Sequence, residues 1–143
     1  MTARYFLDTN VLLYAGSKAK EDAAKRDVAI TLLKRKDIGF SAQVLQEYYH
    51  VAYRKKRLRI SHSEALAALK ALSTRPVLSI TPQLVISAAK IAEQHQLSYW
   101  DAAIVAAAKE LHCEILYTED LNDGQIVEGV KVQNPFVAVN ICG

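Results

Sequence analysis

Four acidic side chains at the ends of predicted elements carry the strongest chemical signal in this sequence. Asp8 comes directly after a predicted strand at 3–7, and Asp120 comes two residues after a predicted strand at 114–118. Glu47 lies on an apolar helix face, and Asp101 lies in a predicted first helical turn. Carboxylates without Cys or His at ligand spacing suit hard cations such as Mg²⁺ or Mn²⁺. Such ions bind a phosphodiester and activate water for in-line attack, so the pattern predicts phosphodiester hydrolysis.

Each of these acids also has an ordinary structural explanation. Asp8 could cap the next helix through backbone N–H groups, and Asp101 could stabilise a helix start through the macrodipole. Glu47 could lie at the edge of its apolar stripe and reach solvent. The metal alternative for Glu47 is equally strong, because a buried carboxylate is costly unless it has a partner. The acids at 119–123 could belong to a solvated loop that ends in an Asp-Gly turn.

The elements that must position these acids alternate between strands and helices. Strands are predicted at 3–7, 38–40, 77–80, 114–118 and 130–132. Helices are predicted between them, including 43–56 after an N-cap at Ser41, 61–73 after a capping box that begins at Ser61, and 82–96 after a cap at Thr81. An apolar helix is predicted through 102–108, and Ser98 and Asp101 ahead of it fit the spacing of a capping box. The alternation predicts an α/β fold with a mostly parallel sheet of four to five strands flanked by helices. Parallel strands share their carboxyl edge, where ligands bind in open α/β sheets, so the acids can converge there.

Length and composition predict one domain that covers residues 1–143. Cys113 and Cys142 form neither a disulfide framework nor a CxxC motif, which is typical of a reducing cytoplasm. We expect no signal peptide, because the first four residues lead directly into a strand. No membrane association is expected, since the apolar run 102–108 is too short to cross a bilayer. The net charge of +3 permits a nucleic-acid partner without establishing one.

A basic run follows the predicted helix 43–56 and contains Arg54, Lys55, Lys56, Arg57 and Arg59. Cations at a helix C-terminus favour the macrodipole, so a solvated helix end is the default interpretation. Five cations in six residues exceed what capping needs. Residues 54–57 therefore form a candidate RNA-backbone patch.

Several motifs together resemble those of PIN-domain nucleases, and within that family those of VapC-type toxins from toxin–antitoxin pairs. The resemblance spans nearly the whole chain in the right order. The motifs are Phe6-Leu7-Asp8-Thr9-Asn10, Ser41-Ala42-Gln43-Val44-Leu45-Gln46-Glu47, Tyr99-Trp100-Asp101-Ala102-Ala103-Ile104, Tyr117-Thr118-Glu119-Asp120-Leu121-Asn122-Asp123-Gly124-Gln125 and Val132-Gln133-Asn134-Pro135-Phe136.

The resemblance implies a PIN-like fold and a divalent-metal-dependent endoribonuclease that uses Mg²⁺ or Mn²⁺. By position in the motifs, the catalytic and metal-binding residues would be Asp8, Glu47, Asp101 and Asp120. Thr9 and Asn10 would orient Asp8 or hydrogen-bond near the metal. Glu119 and Asp123 are surplus acids that compete with Asp120 for the fourth place. Asp120 matches the family position, and the other two remain candidates for supporting or second-metal groups.

The resemblance also implies an RNA substrate, a cognate antitoxin that covers the active site, and a homodimer. A second hypothesis is a PIN-like module that binds RNA or protein without cutting. The intact set of acids favours the enzyme, because a cluster of acids is costly to retain without an ion. A receiver-type phosphoacceptor ranks third, since it would need paired acids after the first strand, where Asp8 stands alone.

Overall fold

A six-stranded sheet runs through the computed structural model, which describes residues 3–137. The strands are β1 (Tyr5–Leu7), β2 (Ile38–Ser41), β3 (Val77–Leu78), β4 (Ile115–Tyr117), β5 (Ile126–Val127) and β6 (Val130–Gln133). Their order is β3-β2-β1-β4-β6-β5, and only the β5–β6 pair is antiparallel. The prediction of a mostly parallel sheet in an α/β fold is therefore confirmed.

Within residues 3–137, six helices connect the strands and flank the sheet. They are α1 (Thr9–Gly16), α2 (Ala23–Leu33), α3 (Ala42–Ala52), α4 (His62–Leu72), α5 (Pro82–His95) and α6 (Tyr99–Glu110), with short 3₁₀ turns at Lys20–Asp22 and Lys56–Leu58. The apolar helix α6 is the buried one, as predicted, since residues 102–108 are all buried. It packs against α5 and contacts β2, β4 and β6.

The structure differs from the predicted elements in several places: β1, β3 and β4 are shorter than predicted, and two further differences change the elements themselves. The sheet gains a sixth strand, β5, because the turn at Glu128 and Gly129 adopts positive φ angles (52° and 82°) and folds two residues back on β6. Helix α3 ends at Ala52 rather than at 56. The chain continues through a turn into the 3₁₀ segment that begins at Lys56, in which Leu58 is buried in the core.

Two further sequence predictions concern membrane spans and the two cysteines. Within residues 3–137 no helix combines the length and apolarity needed to cross a bilayer. Cys113 is a buried free thiol, and burial raises its pKa to about 12, so the thiol is protonated at neutral pH. Cys142, like Met1 and Thr2, lies outside the described residues.

Candidate active site

The four predicted acids come together at the carboxyl edge of the sheet. Asp8 links β1 to α1, and Asp120 lies in the loop after β4. Glu47 lies in the second turn of α3, and Asp101 lies in the first turn of α6. The negative charges of Asp120 and Glu47 act on Asp8, and those of Asp101, Glu119 and Glu47 act on Asp120. Four segments distant in sequence therefore contribute to one acidic cleft.

Asp8 is the most deeply placed of the four acids, with only 6% of its surface exposed. Its Oδ1 accepts a 2.7 Å hydrogen bond from the backbone N–H of Thr9, so it caps α1 as the structural interpretation predicted. Its Oδ2 accepts a 2.7 Å hydrogen bond from Thr118 Oγ1. Burial raises the pKa of Asp8 to about 6, although both hydrogen bonds oppose that rise. Asp8 therefore caps α1 and also contributes its carboxylate to the cleft.

Glu47 faces the cleft, and polar side chains hold both of its carboxylate oxygens. Thr9 Oγ1 donates to Oε2 at 2.9 Å, and Gln43 Nε2 donates to Oε1 at 2.9 Å. The same Gln43 nitrogen lies 3.4 Å from the carbonyl oxygen of Trp100, next to Asp101. These contacts give Glu47 the partners that a half-buried carboxylate requires, and they join α3 to the start of α6.

Thr9 and Asn10, the two predicted supporting residues, behave differently. Thr9 joins two acids, since its backbone N–H bonds Asp8 and its hydroxyl bonds Glu47. Asn10 Oδ1 is buried and has no hydrogen-bond partner within residues 3–137. A buried carbonyl oxygen without a donor is costly, so a cationic or protic ligand that reached it would satisfy it.

Asp101 and Asp120 occupy the outer part of the cleft. The backbone N–H of Asp101 donates to Ser98 Oγ at 3.1 Å, so the predicted N-cap at Ser98 is confirmed. The backbone N–H of Asp120 donates to Thr118 Oγ1 at 3.1 Å, while its carboxylate makes no hydrogen bond or ion pair within residues 3–137. Partial burial and then the neighbouring negative charges raise the pKa of Asp120.

The two surplus acids are engaged elsewhere. Glu119 accepts a 2.8 Å hydrogen bond from Tyr14 Oη and pairs with Lys25 Nζ at 3.3 Å. Asp123 Oδ1 accepts a 2.8 Å hydrogen bond from the backbone N–H of Asn134. Asp120 is therefore the member of the loop whose carboxylate is free to serve the cleft.

The donor chemistry of the cleft fits a hard divalent cation. Carboxylates supply all four acidic groups, and carboxylate oxygens are the ligands that such a cation prefers. In the part of the chain that the structure describes, no three acidic, His or Cys side chains lie close enough together to hold a metal ion. The carboxylates are thus neighbours, but they do not stand at ligand spacing.

The basic run divides into two parts. Arg57 Nη1 donates to Asp22 Oδ2 at 2.7 Å, and Asp22 is buried where it also accepts from Ser17 Oγ. Arg57 is therefore a structural cation rather than a free one. The other four members, Arg54, Lys55, Lys56 and Arg59, are exposed and form no ion pair within residues 3–137.

Sequence reasoning did not single out four residues that shape the cleft. They are Thr118, Gln43, Tyr14 and Lys25. Two of them carried a local signal, because Thr118 is a polar residue directly after a buried strand and Gln43 precedes Glu47 by one helical turn. Tyr14 and Lys25 lie about a hundred residues from Glu119, and no local pattern pairs them with it.

Comparison with known structures finds the same fold in several solved proteins. VapC20 of Mycobacterium tuberculosis, a toxin that cleaves the sarcin-ricin loop, superposes with a TM-score of 0.65 at 24% identity, over 81% of this chain and 89% of that one. A toxin–antitoxin complex from Klebsiella pneumoniae gives 0.66 at 22% identity, over 92% and 97% of the two chains. DNA-bound VapBC from Salmonella typhimurium gives 0.62 at 18%, over 94% and 99%. At these identities the similarity establishes a shared fold.

Comparison at the level of sequence identifies the family. No curated protein sequence matches this chain. The profile of the PIN domain matches residues 5–123, which is most of the chain and includes all four acids of the cleft. This protein belongs to the PIN-domain family.

Proposed function

We propose that this protein is a divalent-metal-dependent endoribonuclease and the toxin of a type II toxin–antitoxin pair. The observation that carries this proposal is the convergence of Asp8, Glu47, Asp101 and Asp120 in one cleft of a PIN-domain chain. Oxygen donors in this arrangement suit Mg²⁺ or Mn²⁺. When bound, the ion supplies Lewis-acid activation of the phosphodiester and of the attacking water.

The residues that would bind this ion differ in how firmly the fold holds them. Asp8 is a fixed ligand, because both of its oxygens are hydrogen-bonded and its position is set by the cap of α1. Glu47 is oriented by Thr9 and Gln43. Asp120 is the adjustable ligand, since its exposed carboxylate is free to move towards the cation.

The proposed partners are an RNA substrate, a cognate antitoxin and a second copy of the chain. The fold shared with a toxin–antitoxin complex and with VapBC supports the antitoxin. Large apolar side chains exposed on α5 and beside it support a homodimer; they are Ile80, Val85, Ile86 and Trp100. We place this activity in a reducing cytoplasm, consistent with the free thiol of Cys113.

Cleavage of total RNA by the purified protein tests the proposal. We expect cuts in the presence of Mn²⁺ or Mg²⁺, mapped by sequencing the new ends, and none with chelator. Asp8→Asn and Asp101→Asn should abolish cleavage while the fold remains, because both carboxylates are proposed ligands. Asp27→Asn is the matched control, since it removes an exposed carboxylate from α2. Cleavage by both cleft variants at the wild-type rate would contradict the assignment.

A non-cleaving PIN-like module that binds RNA or protein is the second candidate. The observation in its favour is that no three acids within residues 3–137 stand at metal-holding spacing. The same experiment separates the two candidates. A non-cleaving module binds RNA and leaves it intact at every Mn²⁺ concentration.

A further inference from the structure

We propose that the RNA strand that enters the acidic cleft is bound along the exposed face of α3 and of the turn that follows it, by the cations Arg54 and Lys55 and by a base-stacking tyrosine. The α3 track consists of His50, Arg54, Lys55, Tyr49 and Tyr53. This proposal rests on the proposed function, because it takes single-stranded RNA as the substrate. It adds a binding site outside the cleft.

The geometry of α3 connects this track to the cleft. Glu47, His50 and Arg54 follow one another at spacings of three and four residues, which places them in one stripe on a helix. Tyr53 keeps a right-handed helical conformation, and the N–H of Lys55 donates to the carbonyl of Val51 at 3.0 Å. The helical path therefore continues through Arg54, about 10 Å along the axis from Glu47.

An aromatic cluster lies beside the far end of the stripe. The rings of Tyr49 and Tyr53 are 5.4 Å apart, and the His62 ring packs edge-on against both, at 5.6 and 5.2 Å. A 2.9 Å hydrogen bond between Tyr49 Oη and His62 Nε2 fixes the cluster. Tyr53 remains 38% exposed, so it offers a pre-positioned ring. Unpaired bases stack on such rings without regard to sequence.

The charges of the track favour a polyanion. Arg54 and Lys55 are exposed and make no ion pair within residues 3–137, whereas the neighbouring Arg57 is neutralised by Asp22. Cations without acidic partners are available to phosphates. A protein partner fits the aliphatic side chains of Ile80, Val85 and Ile86 better than this cationic and aromatic surface.

Binding of a single-stranded RNA of about ten nucleotides, measured in chelator over a series of salt concentrations, tests the cations. Changing Arg54→Gln and Lys55→Gln together should reduce the salt slope by about 0.7 for each lost phosphate contact. Lys34→Gln with Lys36→Gln is the matched control. These lysines are also exposed, but they lie just before β2, at the opposite edge of the sheet. We expect the control to keep the wild-type slope.

Substitutions of Tyr53 test the stacking ring. Tyr53→Leu should weaken RNA binding roughly fivefold or more, which corresponds to the lower end of measured stacking contributions. Tyr53→Phe should bind as the wild type does, because it keeps the ring. Thermal melting should show both variants folded, since Tyr53 lies at the surface.

Each outcome decides the proposal. It is overturned if the Arg54 and Lys55 variant has the slope of its control, or if Tyr53→Leu binds RNA as tightly as Tyr53→Phe. It is also overturned if Tyr53→Leu dissociates a homodimer and leaves RNA affinity unchanged. Cleavage with Mn²⁺, measured on the same preparations, separates the two levels. If the wild type cleaves RNA and all variants bind normally, only the track is wrong. If the wild type neither cleaves nor binds RNA, the proposed function fails as well.

Discussion

Thr118 Oγ1 donates a 2.7 Å hydrogen bond to Asp8 Oδ2 across the carboxyl ends of two neighbouring strands. Leu7 pairs with Tyr117 in the parallel register of β1 and β4. Asp8 and Thr118, the next residues along the two chains, therefore lie side by side. The same buried hydroxyl accepts the backbone N–H of Asp120 at 3.1 Å. One threonine therefore fixes the inner acid of the cleft and the loop that carries the outer one.

Thr118→Val should damage the cleft without changing the shape of the side chain. Asp8 loses a buried hydrogen bond, and we expect the free energy of unfolding to fall by about 1–3 kcal/mol. The pKa of Asp8 should rise further, because this bond holds it down. Thr118→Ser keeps the hydroxyl and is the control. Urea unfolding compares the three proteins, and equal losses in the Val and Ser variants would contradict a role for the hydroxyl.

In the metal-free protein, the contribution of Asp8 to stability should fall as the pH rises from about 4 to about 6. The folded pKa of Asp8 is about 6, above its ordinary value of 3.8, so between these values the folded state binds more protons than the unfolded state. The contribution of Asp8 to the free energy of unfolding therefore falls across this window, by about 2–3 kcal/mol. Urea unfolding of the wild type and Asp8→Asn in chelator measures the difference. We expect the Asn variant to lack this fall. Equal pH dependence of the free energy of unfolding in the two proteins would refute the prediction.

Mn²⁺ should stabilise the wild type and have less effect on Asp120→Asn. An ion that binds only the folded cleft adds about 2.7 kcal/mol at a hundredfold excess over its Kd, which raises the Tm by several degrees. In chelator, Asp120→Asn should be as stable as the wild type or slightly more so, because one repelling charge is gone. Asp27→Asn controls for the loss of a surface carboxylate. A wild type indifferent to Mn²⁺ would count against the site.

Lys25→Met should tighten Mn²⁺ binding while it destabilises the fold. The substitution releases Glu119 from its ion pair and leaves an extra carboxylate next to Asp120. Loss of the charged partner should cost about 1–3 kcal/mol, because the Glu119 side chain is mostly buried. The double variant Lys25→Met with Glu119→Gln should return to the wild-type Kd in calorimetric titration. If the single variant binds Mn²⁺ with unchanged affinity, the pair does not keep Glu119 out of the cleft.

Arg57→Gln should destabilise the protein, whereas Lys55→Gln should not. Burial by itself raises the pKa of Asp22, but hydrogen bonds from Ser17 and Arg57 outweigh burial and lower it overall. Without Arg57 this buried carboxylate loses its cation, at a cost of about 1–3 kcal/mol. The Asp22 contribution is present above its unfolded pKa of about 3.9 and is lost as the pH falls through its lower folded value. Urea unfolding at pH 7 should keep Lys55→Gln within about 0.5 kcal/mol of the wild type.

The alternation of elements could be predicted from the sequence because its signals are local. Apolar runs and N-caps act over a few residues, and the predicted caps at Ser41, Ser61, Thr81 and Ser98 all form. Parallel strands share a carboxyl edge, so the sequence also predicted that Asp8 and the other acids converge at that edge. The strand β5 was not predicted, because it has only two residues, one of them 68% exposed, and it depends on pairing with β6.

The assignment of individual charges required the tertiary structure. The sequence left Glu119, Asp120 and Asp123 as competitors, and it grouped Arg57 with the free cations. Their partners come from Tyr14, Lys25, Asn134 and Asp22, on other segments of the chain. The state of a charged side chain depends on which groups lie within a few ångströms of it, and only packing brings these distant segments together. The sequence by itself therefore determined where the acids could gather, and the tertiary structure decided which of them remain free to bind.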